Sequence, residues 1–198
     1  MPPHAQSMKQ AKMLAQGFVR DYPSVAEKGF LLMGPSGVGK THLAVAALKE
    51  LIRRGHVGLF CDYRELLKEI QGSYNPASES TEMAILEPIR NVEILVLDDL
   101  GATKPSDWVR DIVGIVLNAR YNESRTTLIT TNYLDSAAAE SEPVRSPNGR
   151  MVSAVREDTL EQRIGSRMRS RLYEMCRTVE ISAPDFRKER TQAGRAHS

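Results

Sequence analysis

The chain has 198 residues, 41% hydrophobic and 26% charged, a balance that suits one domain with a sizeable core and excludes a disordered or collagen-like chain. Its formal net charge of +2 excludes a globally basic nucleic-acid binder, so any such surface must come from local clustering. Cys61 and Cys176 stand singly without C-x-x-C spacing, which argues against a zinc site or a disulfide framework and fits a reducing cytosol. Residues 1–20 contain no signal-peptide stretch and no later segment approaches a membrane span, so the expected location is the cytoplasm.

Residues 7–20 place Ala11, Leu14 and Phe18 on one helical face, with Pro23 ending the helix. The apolar run 29–33 reads as a buried strand, followed by a glycine-rich turn and a helix to about residue 54. Residues 57–62 form a second strand, 63–70 a short helix, and the polar stretch 71–80 a loop. A third strand over 92–97 ends in Asp98-Asp99. The next helix spans 105–121, with Pro105 suited to its first turn and Trp108, Ile112, Ile115 and Val116 facing inward. The β-branched run 126–131 is a fourth strand, and 136–156, rich in Ala, Ser, Pro and Gly, suggests a mobile loop. One helix over about 159–175 and a fifth strand over 177–182 complete the order. Alternating strands and helices predict an α/β fold around a mainly parallel sheet.

Gly34-Pro35-Ser36-Gly37-Val38-Gly39-Lys40-Thr41 matches the phosphate-loop pattern G-x-x-x-x-G-K-[ST] in full. Its glycines let successive amides turn toward phosphate oxygens, and the helix that follows adds its positive dipole end. Lys40 reaches the β- and γ-phosphates and Thr41 ligates Mg²⁺; the expected ATP-binding residues are these eight together with His42. A chance match in a glycine-rich turn is disfavoured because the motif lies after an apolar strand and before a helix, where the mechanism needs it.

A buried strand ending in two acids needs compensation, which Mg²⁺ supplies. Asp98 is expected to hold the metal and Asp99 to polarise the attacking water, although Asp-Asp-Leu-Gly also reads as an ordinary strand exit. Asn132 follows the fourth strand at the sheet's C-terminal edge, suited either to orienting that water or to capping a turn. In the last helix Leu160, Ile164, Met168 and Leu172 recur every four residues, and Arg163, Arg167 and Arg171 recur one residue earlier. Both an interface stripe and a solvated basic face paired with Glu157, Asp158 and Glu161 fit that spacing.

Together the stretches 34–44, 92–102, 119–133 and 163–176, with Asp185-Phe186-Arg187, resemble the AAA+ ATPases, and within them the DnaC-type replicative helicase loaders and the similar IstB transposition helpers. The resemblance implies a five-stranded parallel sheet of order 5-1-4-3-2 without a C-terminal helical lid, ATP and Mg²⁺ as cofactors, and self-assembly into a ring or spiral. It makes Asn132 the first sensor residue, Arg171 the first choice of arginine finger with Arg167 the second, and Arg187 a stand-in for a second sensor. The domain division it implies is a helix and linker over 1–28, an ATPase domain over 29–187 and a polar tail over 188–198.

The expected function is ATP-driven loading of the replicative helicase onto single-stranded DNA; the alternatives are an IstB-like transposition helper, a small-molecule P-loop kinase with 136–156 as lid, and a nucleotide switch with negligible turnover. Two features depart from many relatives. Asp99 stands where they carry Glu, and only residues 1–6 precede the first helix, where loaders carry a region that grips the helicase; a shortened chain is therefore expected. Single-strand binding needs aromatic platforms and cations, and Tyr74, Trp108 and Lys104 are the candidates; plain packing of Trp108 against its neighbours is the competing reading.

Overall fold

The computed structural model of the protein describes residues 3–24, 28–135, 144–145, 151–152 and 158–186. Strands β1 (Gly29–Met33), β3 (Ile94–Asp98) and β4 (Thr126–Thr131) are buried at every position. Burial is complete because they lie mid-sheet with helices on both faces, and successive side chains go to opposite sides. Phe30, Leu32, Ile94, Val96 and Leu128 form one core with α1 (Pro3–Asp21) and α2 (Lys40–Arg53). Leu31, Met33, Leu95, Leu97 and Ile129 form the other, with α3 (Tyr63–Ser73), α4 (Glu82–Asn91) and α5 (Asp107–Asn122), and with α6 (Leu160–Ile164) and α7 (Ser166–Met175). A two-residue antiparallel pair, β5 (Val144–Arg145) and β6 (Met151–Val152), is separate from the main sheet.

The main sheet is wholly parallel, in the order β2-β3-β4-β1-β7, with β2 (Gly58–Asp62) and β7 (Arg177–Glu180) at its edges. With β7 as the fifth expected strand, this is the order 5-1-4-3-2. Pairing of Met33 with Thr131, Leu97 with Ile129 and Asp62 with Asp98 aligns the C-terminal strand ends, so what leaves each strand converges at one edge. The N-terminal helix belongs to this body: Ala11, Ala15, Phe18 and Val19 are buried, and the Ser7 hydroxyl both donates to Ser182 O and accepts from Ser182 N at 3.1 Å.

Four local expectations change. The helix α4 lies where no helix is expected, capped by the Thr81 hydroxyl on Ala84 N at 3.2 Å and tolerating Pro88 in its interior. Helix α5 starts after the Ser106 cap, so Pro105 precedes the cap rather than filling the first turn. Ile115 is 38% exposed rather than inward, whereas Ile112 and Val116 are buried. The single helix over 159–175 is two, broken at Gly165 (φ 85°, ψ 151°), a conformation open to glycine. The 136–156 loop lies almost entirely outside the described residues.

Arg120 is fully buried among strand ends. Its guanidinium donates to Thr127 Oγ1 at 2.9 Å, Ile89 O at 3.0 Å, Val92 O at 2.9 Å and Thr126 O. Burial lowers its pKa to about 10, which still leaves it charged at neutral pH. It ties the α4–β3 turn to the start of β4, making acceptors that the turn leaves over into partners.

Candidate functional site: a phosphate loop facing two acids and an amide

The loop between β1 and α2 closes against the chain leaving β7. Phe186 N donates to Gly37 O at 3.3 Å, and Gly37 takes φ 83°, a backbone that favours glycine, with the Asp185 carboxylate packed over its Cα. Lys40, 5% exposed, donates its ammonium protons to Gly34 O at 2.8 Å, Pro35 O at 2.8 Å and Asn132 Oδ1 at 2.7 Å. The loop is thus curled over its own lysine, at the start of α2, where a helix dipole favours an anion.

Across the sheet edge, Thr41 Oγ1 donates to Asp98 Oδ2 at 3.2 Å, and Thr130 Oγ1 donates to Asp98 Oδ1 at 2.6 Å. Asp99 takes a left-handed backbone (φ 59°), which Asp tolerates, and its N–H donates to Thr130 Oγ1 at 2.9 Å. Its carboxylate accepts from Asn132 Nδ2 at 2.6 Å and faces Arg64 Nη2 at 3.6 Å. Burial raises the Asp99 pKa above the usual carboxylate range; Arg64 opposes this, Asp98 adds to it, Lys40 opposes it and Asp62 adds to it. Thus Lys40, Asn132, Asp99 and Arg64 form one polar chain from the phosphate loop to the first turn of α3.

These groups line a cavity of about 800 Å³ whose wall includes Ser36, Gly37, Val38, Gly39, Lys40, Thr41 and His42, with Asp98, Asp99 and Asn132 opposite. Of the sequence-predicted nucleotide residues, Ser36 to His42 with Asp98, Asp99 and Asn132 share this cavity, while Gly34 and Pro35 adjoin it through their carbonyls on Lys40. A groove of about 900 Å³ between α1 and β7, lined by Met13, Arg20 and Arg177 among others, holds none of them. Thr41 and Asp98 bring two oxygen ligands together, the donor set that Mg²⁺ takes alongside phosphate. Among the described residues no group of three or more His, Cys, Asp or Glu forms a cage of its own.

Sequence reading missed Thr130, Arg64, Asp62, Met8 and Phe186. Asp62 caps α3 by accepting from Arg64 N at 2.8 Å and lines the cavity, as do Met8, Thr130 and Phe186. Thr130 carried one signal, a hydroxyl two residues before Asn132; its role depends on β4 lying beside β3. Arg64, Asp62 and Met8 come from segments outside the motifs, and Phe186 lies beside Arg187 in a stretch read only for its arginine.

The arginines do not form one stripe. Arg163 is turned inward, donating to Thr103 O at 3.3 Å with its guanidinium 4.3 Å from the Tyr133 ring centre. Arg171 donates to Asn118 Oδ1 and lies 4.9 Å over the Tyr121 ring. Arg167 is exposed and has no ion-pair partner or hydrogen bond among the described residues. Arg187 lies outside the described residues. Tyr74 is exposed, whereas Trp108 is half-buried and packs against the core, as the competing reading has it; Trp108 Nε1 donates to Tyr74 Oη at 3.0 Å and the rings stand edge to face at 6.4 Å. Lys104 is exposed, and no described helix is long and apolar enough to cross a membrane.

A family model described as IstB-like ATP binding protein matches residues 6–137. The chain is 30% identical over 118 residues to the replicative helicase loader DnaI of Bacillus subtilis, covering 59% of this chain and 37% of that protein. It is 29% identical over 103 residues to the replicative helicase loader DnaC of Escherichia coli K12, covering 52% of this chain and 42% of that one. It therefore spans less than half of either loader. A crystal structure of the DnaC helicase loader superposes with TM-score 0.69 at 32% identity, over 89% of this chain and 90% of that one. Domain III of the Thermotoga maritima initiation protein DnaA shares the fold, with TM-score 0.66 at 16% identity. With its phosphate loop, paired acids and strand order, the chain belongs to the IstB-like ATP-binding family, among the DnaC-type AAA+ proteins.

Proposed function

We propose that the protein is an ATPase of DNA replication that loads a replicative helicase onto single-stranded DNA, acting as an assembly of several copies. The observation that carries this is the convergence of Lys40, Thr41, Asp98, Asp99 and Asn132 on one cavity, together with likeness to proteins named as replicative helicase loaders. Lys40 exchanges its loop carbonyls and Asn132 for phosphate oxygens. Thr41 and Asp98 would hold Mg²⁺, which when bound neutralises phosphate charge. Asp99 accepts a proton from the attacking water, and Asn132, bonded to both Lys40 and Asp99, orients that water against the terminal phosphate.

An arginine finger would come from a second copy. Arg167 is better placed than Arg171, since it is exposed while Arg171 is held by Asn118 and Tyr121 of its own chain. Tyr74 and Trp108, with Lys104 nearby, form the candidate surface for unstacked bases. A second reading, a transposition helper of the IstB kind acting on duplex DNA, rests on the match to a family described as IstB-like ATP binding protein.

The test is the hydrolysis rate per chain against protein concentration, with single-stranded or duplex DNA, for wild type, Arg167→Ala and Arg171→Ala. The expected result is a rate that rises with concentration and with single strands and falls on the order of 10³-fold in Arg167→Ala, as loss of a finger does. A rate independent of concentration and of both arginines would indicate a self-contained kinase or switch, and stimulation by duplex alone the transposition role.

A further inference from the structure

Arg163 differs from the other arginines of its helix pair. Its side chain is 17% exposed, in an ion pair with Asp158 at 3.0 Å, and its Nε is buried without a hydrogen-bond partner. Leaving such a donor unpaired costs stability, so the position carries a compensating demand. Its contacts show what that demand is. On one side lies the loop that leaves β3: Arg163 Nη1 reaches Thr103 O, and Gly101 packs closely, since a Cβ there would stand 3.1 Å from Arg163 Cβ and 3.3 Å from the Tyr133 ring. On the other lies Tyr133, next to Asn132, under the guanidinium. The following residues are strapped to the same helices, Leu134 O accepting from Leu160 N at 2.8 Å and Asp135 pairing with Arg169.

We propose that Arg163 is a positioning residue for the nucleotide site: by joining the loop after Asp99 to the loop after Asn132, it holds those two groups at their bonding distance. This deepens the ATPase reading and rests on it. Arg163 touches neither Asp99 nor Asn132 and acts through the Thr103 carbonyl at one strand exit and the Tyr133 ring at the other. It also acts in its own chain, whereas the exposed Arg167 lies beyond the Gly165 break on a separate helix.

The experiment measures dissociation constants for ADP and for a β,γ-methylene ATP analogue, with Mg²⁺, in wild type, Arg163→Met, Arg163→Lys and Tyr133→Ala, alongside single-turnover ATP hydrolysis. Arg163→Met is expected to lose about tenfold of the preference for the triphosphate, the worth of one well-placed polar contact, while ADP affinity is held. Arg163→Lys, which keeps a cation over the ring, is expected to retain most of it. Tyr133→Ala repeats the loss if Arg163→Met fails to fold. Equal weakening of both nucleotides, or an unmoved ratio, overturns the positioning role while leaving the ATP site standing. Wild type that binds neither nucleotide overturns the ATP reading and this inference with it.

Discussion

At the residue scale Asn132 links the two sides of the cavity by bonding both Asp99 and Lys40. Arg64 partly offsets the burial that raises the Asp99 pKa, so removing this cation raises the pKa further. In Arg64→Ala the acidic limb of the kcat/KM profile is expected to move to higher pH, modestly because Arg64 is half-exposed. An unmoved limb would mean that Asp99 is not the titrating base. Arg120 makes a separate demand. Arg120→Met leaves several buried carbonyls short of a donor and is expected to cost on the order of 3 kcal/mol in urea unfolding. Motif residues were legible one by one because phosphate chemistry prescribes residue type and spacing. Arg64, Thr130 and Arg120 were not, because each acts on a segment distant in sequence.

At the element scale, the break at Gly165 decides what the arginines do. The apolar spacing of Leu160, Ile164, Met168 and Leu172 continues across it, with all four buried, so periodicity reads one helix where there are two. The Thr159 hydroxyl and the Gln162 side chain form a reciprocal capping box that starts α6, and the left-handed glycine then re-aims the chain into α7. Gly165→Ala has open space for its methyl group but the wrong backbone preference. It is expected to lower stability by about 1–3 kcal/mol in chemical denaturation; an unchanged midpoint would mean that the two helices fuse at little cost. Helix α4 falls in a stretch that the sequence reading left unassigned, and it carries Pro88 in its interior.

At the scale of the whole molecule, the two cores lie on opposite faces of one sheet, and each face takes helices from both halves of the chain or from its start. Cys61 and Cys176 are buried in the α3–α7 face, and burial pushes both thiols up to about 12. Both are expected to resist a disulfide reagent at pH 8 in the folded protein and to react fully in denaturant; fast reaction of either would indicate local opening of an edge. By itself the sequence determined the fold class, the phosphate loop, the paired acids and Asn132, because each depends on short-range chemistry: apolar runs, glycine turns, and charges at a strand end. Only the tertiary structure decided which arginine faces solvent, that Tyr74 and Trp108 touch, and that Lys40, Asn132, Asp99 and Arg64 form one polar chain. Those outcomes depend on strand order and helix direction, which place distant segments side by side, and no local pattern encodes a distance between them.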